Sequence, residues 1–149
     1  MTQRVGAART TALTQFQGDG VLATFNVPVE DPNHASNAFQ AREEILACVA
    51  CRDYAGERVR VRIGLNTGPL VAGNVGGGGR RSYTVHGDTV NLAARLEALC
   101  KEHGTSLLVS ADTAEALRGA KLVAVGKIGV RGITEPVAVY AIPPVIATR

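Results

Sequence analysis

The stretch Arg80-Arg81-Ser82-Tyr83-Thr84-Val85-His86-Gly87-Asp88-Thr89-Val90-Asn91-Leu92-Ala93-Ala94-Arg95-Leu96-Glu97 decides how the rest of the chain is read. It begins as a strand, turns at Gly87, and enters a helix capped by Asp88. Leu92, Leu96, Leu99 and Cys100 follow the helical period and form an apolar stripe. Asn91 and Arg95 are four residues apart and share the other face. A helix that buries its leucines and presents an amide and a guanidinium together suits an anionic ligand. On spacing alone, a surface arginine with a chance asparagine neighbour explains the pair as well.

Ahead of this stretch, Gln15–Gln17 and Val21–Val27 read as strands joined by a tight Gly18-Asp19-Gly20 hairpin turn. Pro28 to Asn33 is a loop. A helix is expected from His34 to about Tyr54, ended by Gly56, with Ala38, Ile45 and Val49 buried and His34 a helix-start residue. Cys48-Val49-Ala50-Cys51 lacks the second pair of ligands a zinc site needs and does not open a helix after a strand, so these read as packing cysteines. Val59–Leu65 alternates apolar and polar as a half-buried strand does, and Leu70–Val75 returns after the Thr67-Gly68-Pro69 turn. The Gly76–Gly79 run leads into a strand, not a helix, so it is read as a flexible loop, with Arg80 or Arg81 near a ligand.

Beyond it, Gly104 stops the long helix with His103 in its last turn. Ser106–Val109 is a short strand, Ser110 caps a helix over Ala111–Arg118, and Lys121–Val130 with Val137–Ile142 forms a terminal hairpin. Hairpins outnumber strict strand–helix–strand units, so the expected class is α+β with a mostly antiparallel sheet and flanking helices.

With 149 residues, 46% hydrophobic and 19% charged, the chain is sized and composed for one globular domain with a real core. The net charge of +3 suits small anionic ligands but is too weak for a nucleic-acid footprint. Three Phe, three Tyr and no Trp leave no aromatic platform for RNA. Nothing in the sequence is apolar for long enough to span a bilayer, no signal-peptide core opens it, and three cysteines do not make a disulfide framework. A cytoplasmic protein is the expectation.

The segment Tyr83–Glu97 resembles the signature of class III adenylate and guanylate cyclases. Phe16-Gln17-Gly18-Asp19-Gly20-Val21-Leu22-Ala23-Thr24-Phe25 and Val61–Gly76 are similar to two further family segments and stand in the family's order. The resemblance runs from about Leu13 to Ile142. It implies a ferredoxin-like cyclase catalytic fold over residues 13–143, with a leader at 1–12 and a tail at 144–149.

The resemblance also implies roles. Asn91 would orient the ribose and Arg95 would neutralise the transition-state phosphorus. Asp19 would be one of two metal-binding aspartates, and a hairpin-tip carboxylate is well placed to hold Mg²⁺ or Mn²⁺ against phosphate oxygens. Gln15 and Thr84 fall where the family reads the base. Both donate and accept hydrogen bonds, which tolerates adenine and does not exclude guanine. The Glu-plus-Cys pairing that resembles guanylate cyclases is absent, so ATP is the expected substrate, with GTP the alternative. Arg131 falls near the family's triphosphate lysine, although a shift of two places would put Ile133 there. Asn91 and Arg95 would act across an interface on the partner's metal site, so the expected partner is a second copy or a full-length cyclase chain.

One departure is large. The family's first strand and helix, which carry the other metal aspartate, have no counterpart here, and no Asp precedes Asp19. Two readings follow: a cyclase converting ATP to cyclic AMP and pyrophosphate with impaired activity, or a catalytically inactive dimerisation or nucleotide-binding module of the same fold.

Overall fold

In the computed structural model, residues 11–76, 82–129 and 135–143 are described, with backbone alone for 11–15, Gln17 and Ser82. Strands β1 (Thr11–Gln17) and β2 (Gly20–Phe25) form an antiparallel hairpin, followed by helix α1 (His34–Ala50) and strand β3 (Ile63–Leu65). Strands β4 (Val71–Val75) and β5 (Ser82–His86) make a second hairpin that feeds helix α2 (Asp88–Leu99). Strand β6 (Leu107–Ser110), the short helix α3 (Ala111–Ala116), and strands β7 (Val123–Ile128) and β8 (Val137–Ala141) complete the order.

The central sheet has the order β3-β6-β8-β7. The β3–β6 pairing is parallel, and every other strand pairing among the described residues is antiparallel. The architecture is thus α+β with a mixed, mainly antiparallel set of strands, as the irregular alternation of elements predicts.

The core lies between α2 and this sheet. Leu92, Leu96 and Cys100 from the helix stripe pack with Leu108, Val139 and Ala141 from the strands, and Leu99, Val125, Ile128 and Val137 close the edges. The four-residue stripe read from the sequence is therefore the buried face of α2. Gly64 is what lets the helix lie so close, since a Cβ there would overlap the Ala93 carbonyl oxygen and the Glu97 amide nitrogen. Helix and strand touch backbone to backbone at that point.

Several boundaries differ from the sequence reading. Strand β1 starts at Thr11, inside the segment read as leader. The hairpin turn is Gly18-Asp19, with Gly20 already in β2, and Gly18 takes φ +62° at the first central position, where a type II′ turn has its glycine. Helix α1 stops at Ala50, short of Tyr54, and Gly56 belongs to a separate turn in which its N–H donates to Asp53 Oδ1 at 2.7 Å. Its buried residue is Ala35, whereas Ile45 is exposed and Ala38 and Val49 are half-buried. Cys48 and Cys51 are exposed, so they are not packing cysteines.

Strand β3 is shorter than the Val59–Leu65 stretch, pairing over Ile63–Leu65 with Leu107–Val109 of β6. Helix α2 has Gly87, not Asp88, at its N-cap, with φ +140° that only glycine adopts readily. Asp88 sits in the first turn, where its charge complements the helix dipole. The helix ends at Leu99, so His103 lies in the following turn, closed by the Thr105 N–H to the Cys100 carbonyl at 3.0 Å. Helix α3 ends at Ala116, short of Arg118.

Candidate functional site

Asn91 and Arg95 lie on one side of α2 beside its buried leucine stripe, and both are exposed. Neither makes a side-chain hydrogen bond or an ion pair among the described residues. One helical turn separates them, so an amide and a guanidinium stand side by side with their bonding capacity unused.

What fixes this face is the other side of the helix and its entry loop. Asn66 Nδ2 donates to the Thr89 carbonyl at 2.9 Å, and Thr89 Oγ1 donates to the Pro69 carbonyl at 2.5 Å. A Cβ on Gly68 would lie 2.7 Å from Thr89 Oγ1, so the turn seats tightly against the first helical residues. Further along, Arg62 Nε pairs with Glu97 Oε1 at 2.7 Å, and that carboxylate raises the Arg62 pKa further. The loop 66–69 and β3 therefore hold α2 at its start and near its end. The Asn66 Oδ1 atom is buried without a partner among the described residues.

These ties were not legible in the sequence. Asn66-Thr67-Gly68-Pro69 reads as a turn, which is correct, but its partner Thr89 is 23 residues away from Asn66. No local period announces such a contact.

Asp19 stands at the tip of the β1–β2 hairpin, exposed and without a hydrogen bond or an ion pair among the described residues. Its charge adds to that of Glu97 in raising the Arg62 pKa. The hairpin packs on α1 and β5, while α2 packs on β3, β5 and β6. Among the described residues no bond joins Asp19 to Asn91 or Arg95: Asp19 stands on the β1–β2 hairpin, and Asn91 and Arg95 stand together on α2.

Thr84 lies in β5 and is only 7% exposed, with Oγ1 3.5 Å from His86 Nε2, which leaves little of it open to a ligand. Gln15 is in β1, opposite Leu22 in the β1–β2 register. Arg131, Arg80 and Arg81 lie outside the described residues.

No group of three or more His, Cys, Asp or Glu side chains is arranged to hold a metal among the described residues. The donor set nonetheless fits a hard divalent cation of the kind bound together with a triphosphate. Mg²⁺ commonly takes one or two protein carboxylates and completes its octahedron with phosphate oxygens and water. Asp19, exposed and unpartnered at a turn, can supply one such oxygen. No described helix is long and apolar enough to cross a membrane.

Comparison with known proteins identifies the family and the fold. The profile of the adenylate and guanylate cyclase catalytic domain matches residues 10–143. Adenylate cyclase 1 of Rhizobium meliloti (strain 1021) is 41% identical over 111 residues, which cover 71% of this chain and 17% of that protein. The chain thus spans about a sixth of the length of that relative. The catalytic core of a rhodopsin-guanylyl cyclase with converted specificity, solved with ATPalphaS, superposes with a TM-score of 0.74 at 27% identity, covering 89% of this chain and 71% of the other. A non-canonical dimeric guanylyl cyclase domain from Blastocladiella emersonii gives 0.74 at 25% identity over 89% of this chain and 71% of its own. With a profile match over nearly its whole length, this chain belongs to the adenylate and guanylate cyclase catalytic-domain family.

Proposed function

We propose that the chain converts ATP to cyclic AMP and pyrophosphate at an interface between two cyclase chains. The observation that carries this is the Asn91–Arg95 pair, exposed and unpartnered on α2 and separated from Asp19 on another element. A second chain unites what one chain keeps apart. The relatedness to an adenylate cyclase supports ATP as the substrate, with GTP the alternative.

The reaction is an in-line attack of the ribose 3′-oxygen on the α-phosphorus, expelling pyrophosphate, and it depends on positioning and charge more than on covalent chemistry. Asn91 orients the ribose through its amide. Arg95 lays permanent positive charge against the oxygens that gain charge at the pentavalent phosphorus. Asp19 holds Mg²⁺ or Mn²⁺, which supplies Lewis-acid neutralisation of the phosphates when bound. Gln15 and Thr84 contribute hydrogen bonds toward the base, Thr84 only where its covering neighbours shift. Arg131 contributes charge toward the triphosphate.

A two-metal site wants a second carboxylate, and Asp19 is the first Asp in this sequence. Activity of the 149-residue chain by itself is therefore expected to be weak. The second reading, an inactive dimerisation or nucleotide-binding module, draws on this same observation.

The test is cyclic nucleotide production by the purified chain with Mn²⁺ or Mg²⁺, supplied with ATP or GTP in turn. Product from ATP that disappears in Asp19→Ala supports the cyclase reading. A folded, dimeric sample that makes no product from either nucleotide supports the inactive module.

A further inference from the structure

The one sequence feature that the cyclase reading leaves unused is Cys48-Val49-Ala50-Cys51. Both thiols are exposed. Cys48 lies in the last turn of α1, and Cys51 is its C-cap, still right-handed at φ −85° and ψ −3°, with its N–H donating to the Ala47 carbonyl at 3.1 Å. A helical spacing of three puts the two side chains on one face, with Cβ atoms about 5–6 Å apart.

A disulfide needs Cβ atoms about 3.5–4.5 Å apart, so the pair must close by a small step. The helix end is where such a step costs least. After the Arg52 N–H reaches the Val49 carbonyl at 3.3 Å, the chain leaves the helix through the Asp53–Gly56 turn. An open groove of about 570 Å³ runs beside it, lined by Cys51, Arg52, Arg58 and Val59 among others, and Cys48 is exposed outside it, so a small reagent can reach both sulfurs. Cys100 is the opposite case. It is buried, donates to the Leu96 and Ile63 carbonyls at 3.3 and 3.5 Å, and burial pushes its thiol pKa up.

We propose that Cys48 and Cys51 form a dithiol modification site that small-molecule disulfides, such as oxidised glutathione, convert to an intramolecular disulfide. One thiolate attacks a glutathione sulfur, forming a mixed disulfide and expelling a glutathione thiolate. The other cysteine thiolate then attacks the protein sulfur of that mixed disulfide and expels the second. Both cysteines are oxidised, one glutathione disulfide is reduced to two thiols, and the two cysteine protons end on the departing thiolates. The closed ring tightens the last turn of α1 and moves the wall of the groove.

The experiment treats the folded 149-residue chain with oxidised glutathione, then reads its mass and that of its tryptic fragments. Trypsin cuts after Arg42 and Arg52, so both cysteines fall in the fragment Glu43–Arg52. The expected result is that this fragment loses the mass of two hydrogen atoms while Cys100 stays unmodified. With Cys51→Ser the loss disappears and a single glutathione persists on Cys48, and with Cys48→Ser it persists on Cys51. Two stable glutathione adducts on one fragment, cross-linked pairs of fragments, or reaction only after unfolding in urea would each overturn the proposal. None of these readouts depends on cyclase activity.

Discussion

At the scale of single residues, the candidate site rests on groups with no other employment. Asn91 and Arg95 are exposed, their helix is held by other residues, and removing either side chain leaves the core untouched. Asn91→Ala and Arg95→Ala are each expected to lower cyclic nucleotide production by about 100-fold or more, the usual loss for one preorganised charge-stabilising group, with an unchanged circular dichroism spectrum. Full turnover in either variant would sink the assignment. Gly64 is the structural counterpart. In Gly64→Ala the new methyl would collide with the backbone of α2, so the urea midpoint should fall by the equivalent of about 1–3 kcal/mol or more, the range for overpacking.

At the scale of elements, what matters is how each helix is started and held. Ser110 caps α3, its Oγ accepting from the Thr113 N–H at 3.4 Å and lying 3.1 Å from Thr113 Oγ1, with both side chains buried. Ser110→Ala should cost about 1–2 kcal/mol in chemical unfolding, from the lost cap and the Thr113 hydroxyl left with fewer partners. The start of α1 depends on a carboxylate instead. Asp31 accepts from Asn37 Nδ2 at 2.8 Å and the Asn33 N–H at 2.9 Å, and these bonds, with His34 nearby, lower its pKa from the ordinary 3.8. A lowered folded pKa means stability that is full above pH 3.8 and fades as the pH falls through the folded value. Once corrected for the intrinsic pH dependence of amide exchange, protection at the start of α1 should therefore fall as the pH drops below 3.8, and Asp31→Asn should flatten that dependence. An unchanged pH profile in the variant would remove Asp31 from that role.

At the scale of the whole molecule, two hairpins carry apolar surface that the described residues leave exposed. Phe16 is 73% and Val71 74% exposed, and Val21 and Val75, also exposed, sit beside them on the same hairpins. Phe16 and Val21 face each other across β1 and β2, and β1 reaches β5, so the two hairpins adjoin. Apolar patches of this kind on a soluble fold mark interaction surfaces. A second cyclase chain seated there is the expected occupant. Sedimentation velocity should show a concentration-dependent dimer that Val71→Asp weakens by about tenfold or more, an ordinary loss for a charge placed in an apolar contact. Specific activity should fall with dilution in step with the dimer. A monomer with undiminished turnover would contradict the shared site.

The sequence by itself determined α2 and its two faces, the hairpin that presents Asp19, the Ser110 cap and the α+β class. Each of these is written locally, in a helical period, a turn dipeptide or a capping residue, and local chemistry acts whatever the rest of the chain does. The tertiary structure alone decided the rest. Helix α1 ends at Ala50 and leaves Cys48 and Cys51 exposed, with Ala35 its buried residue, because coverage depends on which segments pack against it. The alternation of Val59–Leu65 promises a long strand, yet only Ile63–Leu65 pairs with β6. Asn66 and Thr89 tie the loop to α2 across 23 residues, and Gly64 admits the helix to the sheet. Such contacts depend on which distant segments meet, and burial and steric fit are properties of the meeting rather than of either segment.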